Sequence, residues 1–217
     1  MSQFMHIIKK DLKIEFRQKA SINGILLYIV TTVFISYMVF NVIEELTTWL
    51  ALFWIILVFG ATNTSLNLFK HESGRQYLYY YSLLPPKLVI LSKLLINAIL
   101  IILVALINYL LFIVLLGDPI ENHNIFIVVV LLGSLGIAST FTLISGIASK
   151  TNNNSALTAL LGFPVLLPLI LTAVKVSMLA GLGFSWEDCL VYLGVLGLLN
   201  IVIIALSLVL FPYLWRG

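Results

Sequence analysis

The sequence predicts an all-α integral membrane protein with six transmembrane helices, and three observations predict it. Composition comes first: a 217-residue chain that is 61% hydrophobic and 10% charged lacks the polar surface to cover a soluble core. The second is segmentation. Six uncharged runs, Ala20 to Ile43, Leu46 to Phe69, Leu94 to Gly117, Asn122 to Ser149, Thr151 to Val174 and Cys189 to Trp215, each reach about 24 residues or more. Roughly 20 apolar residues suffice to cross the hydrocarbon as a helix.

The third observation is charge placement. Of the 12 Lys and Arg residues, all but Lys175 fall in alternate gaps: Lys9, Lys10, Lys13, Arg17 and Lys19 before the first run, Lys70, Arg75, Lys87 and Lys93 between the second and third, Lys150 between the fourth and fifth, and Arg216 after the sixth. Glu44, Glu45, Asp118, Glu121, Glu187 and Asp188 occupy the other gaps. The Lys/Arg bias places both termini in the cytoplasm. The net charge of +3 therefore reports topology, not a nucleic-acid footprint. The expected organisation is a single membrane domain over 1–217, with spans near 22–43, 47–69, 90–116, 125–149, 155–175 and 189–213.

In chain order, residues 1–19 read as an interfacial amphipathic helix. Phe4, Met5, Ile7, Ile8, Leu12, Ile14 and Phe16 share a broad face, and Lys9, Lys10, Lys13 and Arg17 gather on the other, which suits anionic lipid. The first apolar run is too long for a cleavable leader and is expected to stay as a span. The first two spans, separated by little more than Glu44 and Glu45, form a tight hairpin. Asn63 and Asn67 share a face of the second span and Asn97 and Asn108 a face of the third. Amides in hydrocarbon seek partners, so these faces are expected to point into the bundle, as helix-packing contacts or as a polar path. Gly133, Gly136 and Thr140 in the fourth span, and Gly194 and Gly197 in the sixth, mark faces where backbones can approach closely. Gly162, Pro164 and Pro168 suggest a broken or kinked fifth helix, followed by an outer segment from Val176 to Trp186 that dips back into the membrane. Lys175 is expected to snorkel to the outer interface.

No catalytic motif is present. The chain has no Walker A loop, no HExxH, no Gly-x-Ser-x-Gly elbow and no acidic residue within a run. Cys189 is the only cysteine, which excludes an internal disulfide and a cysteine metal cluster. His6, His71 and His123 fall at membrane edges or in loops, where a histidine is more often a polar surface residue than an axial haem ligand. No catalytic, cofactor or metal residue is assigned.

The informative segment is the cytoplasmic connection over 70–87. Tyr77, Tyr80, Tyr81 and Leu84 repeat at three- and four-residue intervals and so line one face of a short helix, which Pro85 and Pro86 end before the next span begins. A loop this short has no core in which to bury that face, so it is expected to bury against a cytoplasmic partner.

At these residues the chain resembles a known superfamily. Glu72-x-Gly74, a short helix, Leu84-Pro85 and then Lys93 look like the E-x-G…L-x-P…K pattern of exporter-type ABC permeases, whose loop is the coupling helix that docks on a nucleotide-binding subunit. Within that superfamily the chain is similar to CcmB, the haem exporter protein B of cytochrome c maturation. The similarity includes the basic stretch ending in Phe16-Arg17, Leu83-Leu84-Pro85, the exit of the fourth span from Gly146 to Lys150, and Leu161 to Pro168. Asn152-Asn153-Asn154 and the tyrosine-rich coupling segment depart from it.

The resemblance implies a permease subunit of the bacterial inner membrane, present in two copies. It pairs with two copies of a separate ABC ATPase and associates with further cytochrome c maturation subunits and a haem chaperone. Glu72, Gly74, Arg75, Tyr77, Tyr80, Tyr81, Leu84 and Pro85 would form the contact with the ATPase. Haem would be cargo of the complex, and Trp49, Trp54, Trp186 and Trp215 are too scattered to assign a haem site. Two other readings stand beside this one: a permease for a lipid, polysaccharide or drug, and a structural membrane anchor.

Overall fold

The structure, a computed structural model, describes residues 19–65, 85–148 and 154–216. Six α-helices account for nearly all of them: α1 (Lys19–Phe40), α2 (Leu46–Ser65), α3 (Pro86–Leu116), α4 (His123–Ala148), α5 (Asn154–Gly181) and α6 (Trp186–Arg216). All six are long and apolar enough to cross a membrane, and no strand occurs among the described residues.

Helix ends follow local chemistry. Asn41 adopts φ 56°, which stops α1 three residues before the end expected from hydropathy. Pro85 is extended (φ −61°, ψ 128°) and Pro86 occupies the first turn of α3, where a missing N–H costs nothing. That third span thus begins four residues earlier than its hydropathy suggested. Asn122 Oδ1 accepts from Ile125 N (3.4 Å) to cap α4. Asp188 Oδ2 accepts from both the backbone N (3.2 Å) and the hydroxyl (2.7 Å) of Ser185, which fixes the residue before α6 starts at Trp186.

The fifth element corrects the expected break. Helix α5 runs without interruption through Gly162, Pro164 and Pro168 and past Lys175 to Gly181, and only 182–185 separate it from α6. The expected outer re-entrant segment is therefore two ordinary helix ends and a turn. The two prolines are one helical turn apart and both are exposed, so their rings lie on the side of α5 away from its neighbours. Gly162 is buried on the other side, where a Cβ would stand 3.0 Å from Phe141 Cε1 of α4.

Helix α4 is the centre of the bundle: 72% of its spanning window is buried, against 22% for α1. It packs on α2, α3, α5 and α6. Its sequence explains the position, since Gly133, Ser134, Gly136, Ala138, Ser139, Thr140, Thr142, Ser145 and Gly146 offer small side chains all round and let four helices come close. A Cβ on Gly133 would meet the Trp54 ring of α2, and one on Gly136 would meet Leu169 of α5. Gly194 and Gly197 of α6 face nothing within 4 Å.

Candidate functional site

At the end expected to face outward, the helices are stitched by their loops. Ile43 N donates to Leu116 O (2.8 Å), tying the α1–α2 loop to the end of α3. Glu121 N and Asn122 N donate to Gly181 O (3.4 Å) and Ala180 O (3.0 Å), tying the α3–α4 loop to the end of α5. Gly117 stands at φ 88°, a conformation glycine adopts without strain, and its carbonyl accepts from Trp49 Nε1 (3.0 Å). His123 lies beside this cap, with Nδ1 2.9 Å from Tyr109 Oη and Nε2 3.5 Å from Asp118 Oδ2. No group of three or more potential metal ligands occurs among the described residues.

Beneath the cap, aromatic rings fill the space between α2, α3 and α4. Trp49 stacks on Phe53 (5.6 Å, 9°) and meets Phe112 edge-on (5.1 Å), and Tyr109 and Phe126 close the cluster at 5.0 Å. Trp54 Nε1 donates to Ser177 Oγ of α5 (3.1 Å). Both indoles are nearly inaccessible and both N–H groups are satisfied, so these rings act as packing.

The opposite end, expected to face the cytoplasm, is held by side chains. Asn97 of α3 is fully buried, and its amide nitrogen lies 2.9 Å from Thr142 Oγ1, 3.0 Å from Ala138 O and 3.1 Å from Ser65 Oγ. The Ser65 hydroxyl in turn faces Asn97 Oδ1 at 3.4 Å, Thr142 Oγ1 donates to Ala138 O (2.7 Å), and Ser145 Oγ donates to Ser65 O (3.1 Å). Two amide protons serve Thr142 and Ala138, and the serine proton serves the amide oxygen. Every polar atom of Asn97 is thereby paired inside hydrocarbon.

These residues share one depth. Ser65, Asn97 and Thr142 each lie 19 residues from the outer end of their helix, at Leu46, Leu116 and His123 respectively. At 1.5 Å per residue that is about 28 Å, close to the roughly 30 Å thickness of the hydrocarbon core, so the cluster lies at the opposite rim, the inner one in the orientation expected from the Lys/Arg bias.

The other expected site residues divide three ways. Glu72, Gly74, Arg75, Tyr77, Tyr80, Tyr81 and Leu84, together with Asn67 and all but Lys19 of the interfacial helix expected over 1–19, lie outside the described residues; Pro85 is described and exposed. Asn63 corrects the expectation that its amide points inward: it is exposed, because the inner face of α2 at this level is given to Gly60, Ala61, Thr64 and Ser65. Asn108 is buried and donates to Phe53 O (3.3 Å), but its Oδ1 has no partner. Between Asn97 and Asn108 the buried face of α3 carries Ile101, Val104 and Ala105, so the two amides are separated by apolar packing. Lys93 is buried in the first turns of α3, and Lys175 is exposed with Nζ 6.0 Å from the Tyr192 ring centre.

Sequence reasoning passed over Ser65, Thr142 and Ser145, because single hydroxyl residues are common in membrane helices and only the fold brings them to Asn97. It also passed over Asn200, whose amide nitrogen donates to Leu196 O (2.8 Å) and to Leu132 O of α4 (3.2 Å).

The described residues thus form a bundle of six helices long and apolar enough to cross a membrane. The decisive observation is a match to the CcmB protein family model over residues 2–212. The chain belongs to the CcmB family. A comparison with curated proteins returns no significant match. CcmB membership makes the chain a permease-type subunit of haem export in cytochrome c maturation, and the match takes in residues 66–84 as well as α1 to α5 and α6 as far as Pro212.

Proposed function

We propose that this CcmB-family chain is the membrane half of an ATP-driven exporter, and that its connection over 70–87 is the surface on which a separate cytoplasmic ATPase subunit docks. ATP hydrolysis in that partner would displace the connection. The spans would pass the displacement outward, either moving haem or releasing a haem-loaded chaperone. The single observation that carries this reading is the family match across 2–212, which contains Glu72-x-Gly74, the Tyr77, Tyr80, Tyr81 and Leu84 face, and Pro85 in their expected order. The polar cluster at the inner rim supports it, because it grips both helices from which that connection emerges. A second copy of the chain, the ATPase and other maturation subunits complete the proposed assembly, in the inner membrane with both termini cytoplasmic.

The test is the double substitution Tyr80→Ala, Leu84→Ala. Aromatic anchors dominate interface energetics, and a single truncation can cost about 2 kcal/mol or more. The double variant is expected to insert and accumulate normally but to lose the ATPase on co-purification in detergent. Retention of the partner at wild-type stoichiometry would place the docking face elsewhere.

A further inference from the structure

The cluster at the inner rim has three properties that ordinary packing does not need together. Every polar atom of Asn97 has a partner, although Asn108 and Asn200 each keep a buried oxygen with none. It joins α2 and α3, the helices at the two ends of the 66–84 connection, at a single depth. It ties both to α4, the most buried helix of the bundle.

From this we infer that Asn97 is a positioning residue for energy coupling: with Ser65 and Thr142 it makes the inner ends of α2, α3 and α4 one mechanical unit. A displacement of the cytoplasmic connection then reaches the central helix instead of being absorbed by bending of α2 against α3. The inference rests on the reading that the connection receives the ATPase.

The physical reason is directionality. Apolar contacts between helices in lipid let one ridge slide past another at little cost, because dispersion partners are interchangeable and lipid is as apolar as the helix surface. A bonded amide is different. Shear of α2 or α4 past α3 at this depth strands the Asn97 amide where no water replaces its partners, and that penalty resists sliding. Ser145 adds a second tie between α2 and α4 by donating to the Ser65 carbonyl, so the unit does not depend on one bond.

The experiment uses the full chain assembled with its ATPase partner in lipid nanodiscs, comparing Asn97→Leu, Thr142→Val, the double variant and Asn97→Asp. Three quantities are read: ATPase subunit retained, ATP hydrolysed, and haem-loaded chaperone released per ATP. Asn97→Leu keeps side-chain size but removes both hydrogen-bonding groups. It is expected to retain the partner and hydrolyse ATP while release per ATP falls about fivefold or more, the lower end of typical coupling effects. Thr142→Val should fall in the same direction, and the double variant should be no worse than Asn97→Leu alone, since both remove one shared network. Asn97→Asp, held neutral by burial, keeps a donor and an acceptor and should recover part of the loss. A role in packing alone predicts loss of assembled complex with unchanged release per ATP. That result in Asn97→Leu and Thr142→Val, or an Asp variant no better than the Leu variant, overturns the inference. Should the Leu variant fail to assemble, Thr142→Val, which matches threonine in shape, decides by the same ratio. Failure of the unmodified chain to bind the ATPase would defeat the docking reading itself, whereas intact coupling in the variants defeats only the role of Asn97.

Discussion

Gly133→Ala adds one methyl group to the centre of the bundle, and its cost can be worked from the neighbours. The new Cβ would stand 2.5 Å from Trp54 Cη2 and 2.9 Å from Cζ3, where carbon atoms pack at about 3.5 to 4.0 Å, so the ring must retreat by about 1 Å. Trp54 has little room to do so. Its ring is held by the bond to Ser177 Oγ (3.1 Å) and meets Phe53 edge-on at 5.5 Å, and it is 2% exposed. Overpacking of this kind costs about 1–3 kcal/mol. Alanine also gains up to about 1 kcal/mol of helix propensity over glycine, which conceals part of that cost. Gly194→Ala supplies the control, because the same substitution meets nothing within 4 Å there. To first order the propensity gain cancels between the two variants, and the difference in unfolding free energy is the steric cost alone, about 1–3 kcal/mol. Reversible unfolding in mixed micelles measures it. Adding Trp54→Phe, which removes the two clashing ring atoms, should return most of the loss. If Gly133→Ala and Gly194→Ala agree within about 0.5 kcal/mol, the size of a neutral surface change, the close approach of α2 to α4 is wrong.

Three further outcomes are expected. Reporter fusions at Glu45, Gly74, Glu121, Asn153 and Glu187 should alternate outside and inside along the chain, and a fusion at Gly74 that reads external would reverse the orientation and remove the docking surface from the cytoplasm. The purified chain freed of its partner should hydrolyse no ATP, since its sequence has no phosphate-cradling glycine loop; turnover in a preparation shown to lack other ATPases would contradict this. In micelle unfolding Asn97→Leu should cost about 1–2 kcal/mol and Asn108→Leu less than about 1 kcal/mol, because Asn97 is bonded through both amide atoms while Asn108 has one 3.3 Å contact and an unpartnered oxygen. Equal losses would show that matching the amide matters little in this bundle.

The six spans were legible because hydrocarbon thickness acts on long segments, and no tertiary detail is needed to apply it. The fifth span shows where such reading stops. Proline was taken as a helix breaker, but Pro164 and Pro168 share the exposed face, and which face is exposed depends on α4 occupying the other. Asn63 failed for a related reason: an amide signals a preference for partners, not which helix stands opposite, and small residues claimed the inner face of α2. Asn97 was visible as an intramembrane amide, but its partners on α2 and α4 lie 32 to 45 positions away. Neither hydroxyl residue is distinctive alone, so only assembly reveals the network.

The loop stitches at the outer face carry a consequence for how the chain is made. Membrane spans emerge from synthesis in order, and each hairpin must wait for whatever fastens it. The first hairpin, α1 with α2, is fastened when the end of α3 brings the Leu116 carbonyl to Ile43 and the Gly117 carbonyl to Trp49. The second, α3 with α4, is fastened when the end of α5 brings Ala180 and Gly181 to Asn122 and Glu121. Each pair is thus latched by the span that follows it, so the bundle can lock progressively from its N-terminal side during insertion, and a chain interrupted after α4 would carry one fastened hairpin and one loose one.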